Sequence, residues 1–198
     1  MTTATQKKVD DFSEQFIARL ESLVKKEDRG ALATLRRGLS KDVPFEVYRF
    51  MPFTRNRWQE DTALIIGPLF AYWHQGEDKP KSSGEKQNLG ASIRTLVRER
   101  ENWEDAMKSI ERRFGAMLNC HADDLRHHLR HAVSLLRSKD VSVNWRLLCD
   151  HVQQWDHPDR WVQREWARSF WAPKSDKPPE GDTTDQASQK NDSDKNVE

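Results

Sequence analysis

The chain of 198 residues suits one domain with a tail or two small helical lobes, and 33% charged against 35% hydrophobic residues leaves room for only a small core. Eight Trp enlarge that core, because each indole buries more apolar surface than an aliphatic side chain. The formal net charge of +1 excludes a strongly basic binder, but it averages two unlike parts. Residues 173–198 hold four Lys and seven Asp or Glu, a net of −3, so Met1–Ala172 carries +4 and is rich in Arg. Such an excess suits phosphate recognition by guanidinium geometry more than by bulk charge, with weak binding alone and stronger binding inside an assembly. Cys120 and Cys149 are the only cysteines, and the start lacks an apolar signal region. The apolar stretch 63–73 is broken by Gly67 and Pro68 and is too short to span a bilayer. The expectation is a soluble, cytoplasmic protein without a membrane partner.

Strand signals are nearly absent, and helical spacing recurs along the chain. Val9, Phe12, Phe16, Leu20 and Leu23 predict an amphipathic helix over 8–26. Asp28 caps a second, short helix that places Ala31, Leu32 and Leu35 on one face and stops near Gly38. Pro44 opens a helical turn through Tyr48, and Pro52 closes it. A buried helix is predicted from Asp61 to Gln75, kinked or divided at Gly67-Pro68. Residues 76–90 read as an exposed loop between an N-terminal lobe (1–75) and a C-terminal bundle (91–172). In that bundle, helices are predicted over 91–100, over 103–118, from an Asp123 cap through Leu136, from an Asn144 cap, and from Pro158. Short connections then give an all-α helical bundle. Residues 173–198 have almost no apolar side chain and read as a disordered acidic tail. Trp145, Trp155, Trp161, Trp166 and Trp171 fall mostly at core spacing.

Catalytic signals are scarce. No nucleophile elbow, phosphate-cradling Gly loop or dinucleotide turn occurs. His127 and His131 have the four-residue spacing that aims two imidazoles at one ion, with His128 beside them. Arg126 and Arg130 would repel that ion, and no third ligand is evident. Asp156-His157 and Cys149 assemble with no base or oxyanion site. The reading therefore holds no catalytic residue, metal or cofactor. What recurs is helix-borne arginine: Arg36-Arg37 at the end of the second helix, Arg94 and Arg98 four apart, Arg112-Arg113, and Arg126 and Arg130 four apart. Arginines near helix C-termini also complement the macrodipole, so each pair has a structural explanation beside the nucleic-acid one.

The stretch Asp28-Arg-Gly-Ala-Leu-Ala-Thr-Leu-Arg-Arg-Gly38 resembles the opening signature of the CasB family, the small subunit of the type I-E CRISPR Cascade. Ser109-Ile-Glu-Arg-Arg-Phe114 with Leu118 resembles a second hallmark of that family. Asp124-Leu-Arg-His-His-Leu-Arg130, Val143-Asn-Trp-Arg-Leu-Leu148 and Trp155-Asp-His-Pro through Phe170 follow in the family's order. The resemblance implies an entirely helical, non-catalytic subunit that associates head to tail as a pair. It implies contact with other Cascade subunits, with the crRNA–target DNA heteroduplex and with the displaced strand of the R-loop. Base pairing then reads the sequence, while the protein supplies backbone contacts to a nearly balanced strand exchange. By the match, Arg36, Arg37, Arg112 and Arg113 are candidate phosphate contacts. Arg29, Arg94, Arg98, Arg126 and Arg130 join them on charge and spacing alone. The rival readings are a stand-alone helical nucleic-acid binder, a metal-dependent nuclease built on the histidines, and a scaffold whose arginines serve structure only.

Overall fold

The computed structural model describes residues 3–40, 42–98 and 103–172, with side chains over 12–40, 42–96 and 107–172. Among the described residues it contains eight α-helices and one 3₁₀ helix, and no strand. The acidic tail expected at 173–198 lies outside the described residues. No described helix is long and apolar enough to cross a membrane.

Helix α1 (Thr3–Lys25) buries Phe16 and Leu20 as the spacing implies, with Ile17 and Val24 beside them, while Phe12 and Leu23 are half-buried and the Val9 side chain lies outside the described residues. Glu27 takes a positive φ of 52°, and the chain turns into α2 (Arg29–Arg37). The Asp28 carboxylate accepts the Ala31 N–H at 2.9 Å, satisfying one of the donors that a helix start leaves without a partner. A 3₁₀ helix (Phe45–Phe50) lies between Pro44 and Pro52. Helix α3 (Arg57–Trp73) begins four residues before the expected Asp61, because the Asn56 side chain accepts the Gln59 N–H at 3.0 Å. It also runs through Pro68 as one helix, so of the expected kink or division the division does not occur. Its neighbours explain this: a Cβ on Gly38 would stand 2.7 Å from Pro68 Cγ, and one on Gly67 would meet Met51, Phe16 and Leu35. Packing on three sides holds the helix together where proline removes a hydrogen bond.

The 76–90 segment is less exposed than its composition implies. The Ser83 N–H donates to Val143 O at 3.4 Å, Asn144 Nδ2 donates to Glu85 O at 2.9 Å, and Lys81 pairs with Asp140 at 3.1 Å. Asn88, Leu89 and Gly90 are buried, and Asn88 caps α4 (Leu89–Arg98) by accepting the Ala91 N–H at 3.0 Å. Helix α5 (Trp103–Leu118) has the expected bounds. Helix α6 (Ala122–Ser138) corrects the Asp123 cap: His121 holds the cap position, and Asp123 and Asp124 sit in the first turn, where carboxylates complement the positive end of the dipole. Asn144 caps α7 (Trp145–Gln153) through the Leu147 N–H at 3.0 Å. Helix α8 (Trp161–Trp171) begins three residues after Pro158, a second correction. Arg160 occupies the intervening left-handed position at φ 48°, and its guanidinium donates to Leu118 O at 2.6 Å, which ties the turn to the end of α5.

Buried apolar side chains from both sides of the 76–90 segment join one cluster. Helix α1 packs on α7, α3 packs on α2, α6 and α7, and α4 packs along α8. Trp73, Trp145 and Trp166 are almost wholly buried, Trp155 is buried, and Trp161 is half-buried. Trp171 is 45% exposed, with its indole N–H on Glu111 Oε1 at 2.7 Å. Inside the core, the Trp166 indole donates to His151 Nδ1 at 2.7 Å, and burial holds that imidazole below the ordinary histidine pKa.

Candidate nucleic-acid interface

Where the C-terminus of α2 comes near α3 and α6, the fold brings Arg36 near Arg137 and Arg126 onto the Gly38 carbonyl, with Arg37 next to Arg36 in sequence and Arg130 one turn from Arg126. Arg36 and Arg37 come from the last turn of α2. Arg126, Arg130 and Arg137 come from α6, where steps of four and seven residues keep them on one stripe. Arg126 donates to the Gly38 carbonyl, Arg130 to Leu39 O at 3.3 Å and Arg137 to Gln75 O at 2.9 Å. Each thus meets a backbone carbonyl one or two residues beyond the end of α2 or α3. The Arg137 guanidinium also lies 5.0 Å above the Tyr72 ring, whose hydroxyl is 3.1 Å from Ser134 Oγ. Among the described residues, no carboxylate lies within 4 Å of any of the five, whereas Arg57 pairs with Asp61 and Arg146 with Glu14.

The electrostatics follow from this crowding. Burial lowers the pKa of Arg36, with a smaller contribution from Arg137. Burial likewise lowers Arg126, with repulsion from Arg130 second. Arg36 thus lies near the like charge of Arg137 and Arg126 near that of Arg130, and among the described residues no carboxylate comes within ion-pair reach of these four. An incoming phosphate would relieve that repulsion, and planar guanidiniums match it in geometry.

The other sequence candidates are distributed more widely. Arg29 is exposed at the start of α2 and shares a cleft with Arg36 that Glu27, Glu77 and Asp78 also border. Arg94 is drawn inward, with one nitrogen donating to Phe170 O at 3.1 Å at the end of α8. The side chain of Arg98 lies outside the described residues. Arg112 and Arg113 are exposed on α5. Arg113 borders a groove of about 390 Å³ with Phe114, His127, His128 and His131. The rings of His127 and His131 meet edge to face at 4.6 Å, and burial, then His127, lowers the pKa of His128. Among the described residues, no three His, Cys, Asp or Glu side chains come together as metal ligands. Arg137 was missing from the sequence candidates, although its place seven residues after Arg130 was a readable signal.

With this geometry in view, known proteins give the chain its family and a shared fold. A family model described as CRISPR-associated protein Cse2 matches residues 31–171. A Thermus thermophilus protein described as CRISPR-associated protein Cse2 is 36% identical over 80 residues, 39% of this chain and 44% of that one. This chain therefore aligns with less than half the length of that relative. CasB from Thermobifida fusca superposes with a TM-score of 0.63 at 22% identity, over 82% of this chain and 97% of that one. A chain of a structure described as a CRISPR RNA-guided surveillance complex superposes with a TM-score of 0.66 at 24% identity, over 83% and 92%. The two superpositions show a shared fold, and the CasB resemblance carried by the sequence motifs is borne out. The chain belongs to the Cse2 family of CRISPR-associated proteins.

Proposed function

We propose that the chain is the small, non-catalytic subunit of a type I-E Cascade surveillance complex, stabilising the R-loop in antiviral defence. The face formed by α2 and α6 holds phosphates of the guide RNA–target heteroduplex or of the displaced strand, while base pairing supplies the sequence reading. The observation that carries this reading is the cluster of Arg36, Arg37, Arg126, Arg130 and Arg137 with no described carboxylate in ion-pair reach. Family membership and the fold shared with a surveillance-complex chain support the assembly. Arg112 and Arg113 offer a second contact on α5, and Arg29, Arg94 and Arg98 complete the candidate set. Other Cascade subunits, crRNA, target DNA and a second copy of this chain, paired head to tail, are the partners.

A scaffold reading has its own support, because Arg94, Arg126, Arg130 and Arg160 each donate to a backbone carbonyl near a helix end. Strand opening of a matched duplex by the guide-loaded complex separates the two readings. Arg36→Glu/Arg37→Glu should weaken opening and make the salt slope shallower by about 1.4, the loss of two single-strand phosphate contacts. The subunit should stay bound in the complex. Unchanged opening and slope would return these arginines to structure.

A further inference from the structure

Away from the arginine face, the groove of about 390 Å³ between α5 and α6 has the size of a small-ligand pocket. Ile93 and Leu96 of α4 line it with Ile110, Phe114 and Met117 of α5, and each is no more than 7% exposed. A floor recessed this far is out of reach of a partner's helix, which lays a broad apolar stripe into an open groove. A slender chain does reach it. The α6 wall changes character along its length, from His127, His128 and His131 to Ala132 and Leu135. Arg113 stands exposed on the α5 side. No carboxylate borders the groove among the described residues, and Asp124, whose charge acts on His128, lies outside its walls. The groove therefore joins an apolar slot to a mouth of imidazole and guanidinium N–H donors. From His127 to Leu135, α6 rises about 12 Å, a length spanned by a zigzag of roughly ten carbons with bonds of about 1.5 Å.

We infer that this groove binds a medium-chain aliphatic carboxylate, with its methylene chain on the recessed floor and its carboxylate on Arg113 and the neighbouring imidazoles. A planar guanidinium takes a carboxylate through two parallel hydrogen bonds. A nucleic-acid phosphate would use the same donors, but its backbone has nothing apolar to place on Ile93, Leu96 and Ile110. Apolar burial and the charged head thus each supply a part of the affinity, and both parts are open to measurement. The inference does not rest on the R-loop reading and shares only Arg113 with its candidate contacts.

The test is isothermal titration calorimetry of the full chain with decanoate, octanoate and decanol. Decanoate should bind saturably, one molecule to each chain. Octanoate, two methylenes shorter, should bind roughly fifteen-fold more weakly. Decanol, which lacks the charge, should bind about ten-fold more weakly than decanoate. Arg113→Gln should weaken decanoate about ten-fold and leave decanol unchanged, a split that a merely structural role would not produce. Ala132→Phe, which fills the groove, should abolish binding of both. Because Arg113 lies in water, Arg113→Gln should melt as wild type does and keeps the test decisive if Ala132→Phe melts early. Absence of decanoate binding would overturn the inference, as would uptake of many molecules without saturation, the behaviour of a surfactant. Wild-type decanoate affinity in Arg113→Gln would overturn it too. So would self-association in sedimentation that Ala132→Phe abolishes and decanoate leaves intact, which would make the groove an interface between copies of this chain.

Discussion

Gly90 allows α4 to approach the backbone of α8 closely, and Gly90→Ala should destabilise the protein sharply. The residue is buried in the first turn of α4, against the backbone of α8. A Cβ built there falls against the Trp166 carbonyl oxygen, 2.9 Å from its carbonyl carbon and 3.0 Å from its Cα. Ordinary carbon–carbon contact is about 3.5–4.0 Å, so relief requires α4 and α8 to part by roughly 0.5–1 Å. Helix backbone cannot rotate aside as a side-chain tip can. The separating helices carry Ile93 and Leu96 on one side and Trp166 and Phe170 on the other, all buried in the common cluster. Such a gap forfeits about a quarter to a half of each dispersion contact across it. Overpacking typically costs about 1–3 kcal/mol, and a backbone clash belongs at the upper end. About 3 kcal/mol in a chain of this size lowers Tm by roughly 6–12 °C, readable by calorimetry or circular dichroism. Gly84→Ala is the control, because a Cβ there meets nothing within 4 Å. A Gly90→Ala protein melting within about 2 °C of wild type would refute the close packing of α4 on α8.

The buried histidines make stability pH-dependent. Lys81 N–H donates to His74 Nε2 at 3.1 Å, so Nδ1 carries the proton and donates to Phe70 O at 2.9 Å. Burial lowers the pKa of both His74 and His151 below 6.5, so the unfolded chain binds more protons just under that value. Stability should be full above about pH 6.5 and fall as pH drops from there towards the lowered folded values, which urea unfolding across that range would measure. His74→Gln/His151→Gln should flatten that fall, and an unaltered profile would remove these two residues as its source. Burial raises Cys149 to about 12 and Cys120 to about 11, so thiol titration should proceed slowly in the native protein and release two equivalents on unfolding. Rapid native labelling of Cys149 would contradict its burial. Arg126→Met keeps the stem of a half-buried side chain but removes the donor to Gly38 O. It should cost about 1.5–3 kcal/mol in denaturant unfolding, whereas a variant of unchanged stability that binds nucleic acid poorly would give Arg126 to the ligand instead.

Much of the helical order was legible because it depends on neighbours in sequence. Asp28 and Asn144 cap as read, since an N-cap side chain reaches a backbone N–H only three residues on. The apolar faces of α2 and α6 followed from their three- and four-residue spacing. The family too was carried by short ordered motifs. Where the reading erred, a distant contact outweighed a local rule. Pro68 would break an isolated helix, but Gly38 packs on it and Met51, Phe16 and Leu35 pack on the neighbouring Gly67. Pro158 would open a helix, but the tie from Arg160 to Leu118 delays α8.

The candidate sites divide in the same way. Sequence alone determined an all-helical chain, arginine pairs on helices and the absence of any recognisable catalytic motif, because composition and period are properties of neighbouring residues. Only the tertiary structure decided which arginines meet. Arg36 and Arg137 lie far apart in sequence, yet the charge of Arg137 acts on Arg36 once α2 and α6 pack around α3. Only the tertiary structure left Phe53 in water beside Arg19 and Arg55. Pattern in sequence reveals what a residue is able to do, while exposure and convergence are set by long-range packing, which no local period encodes.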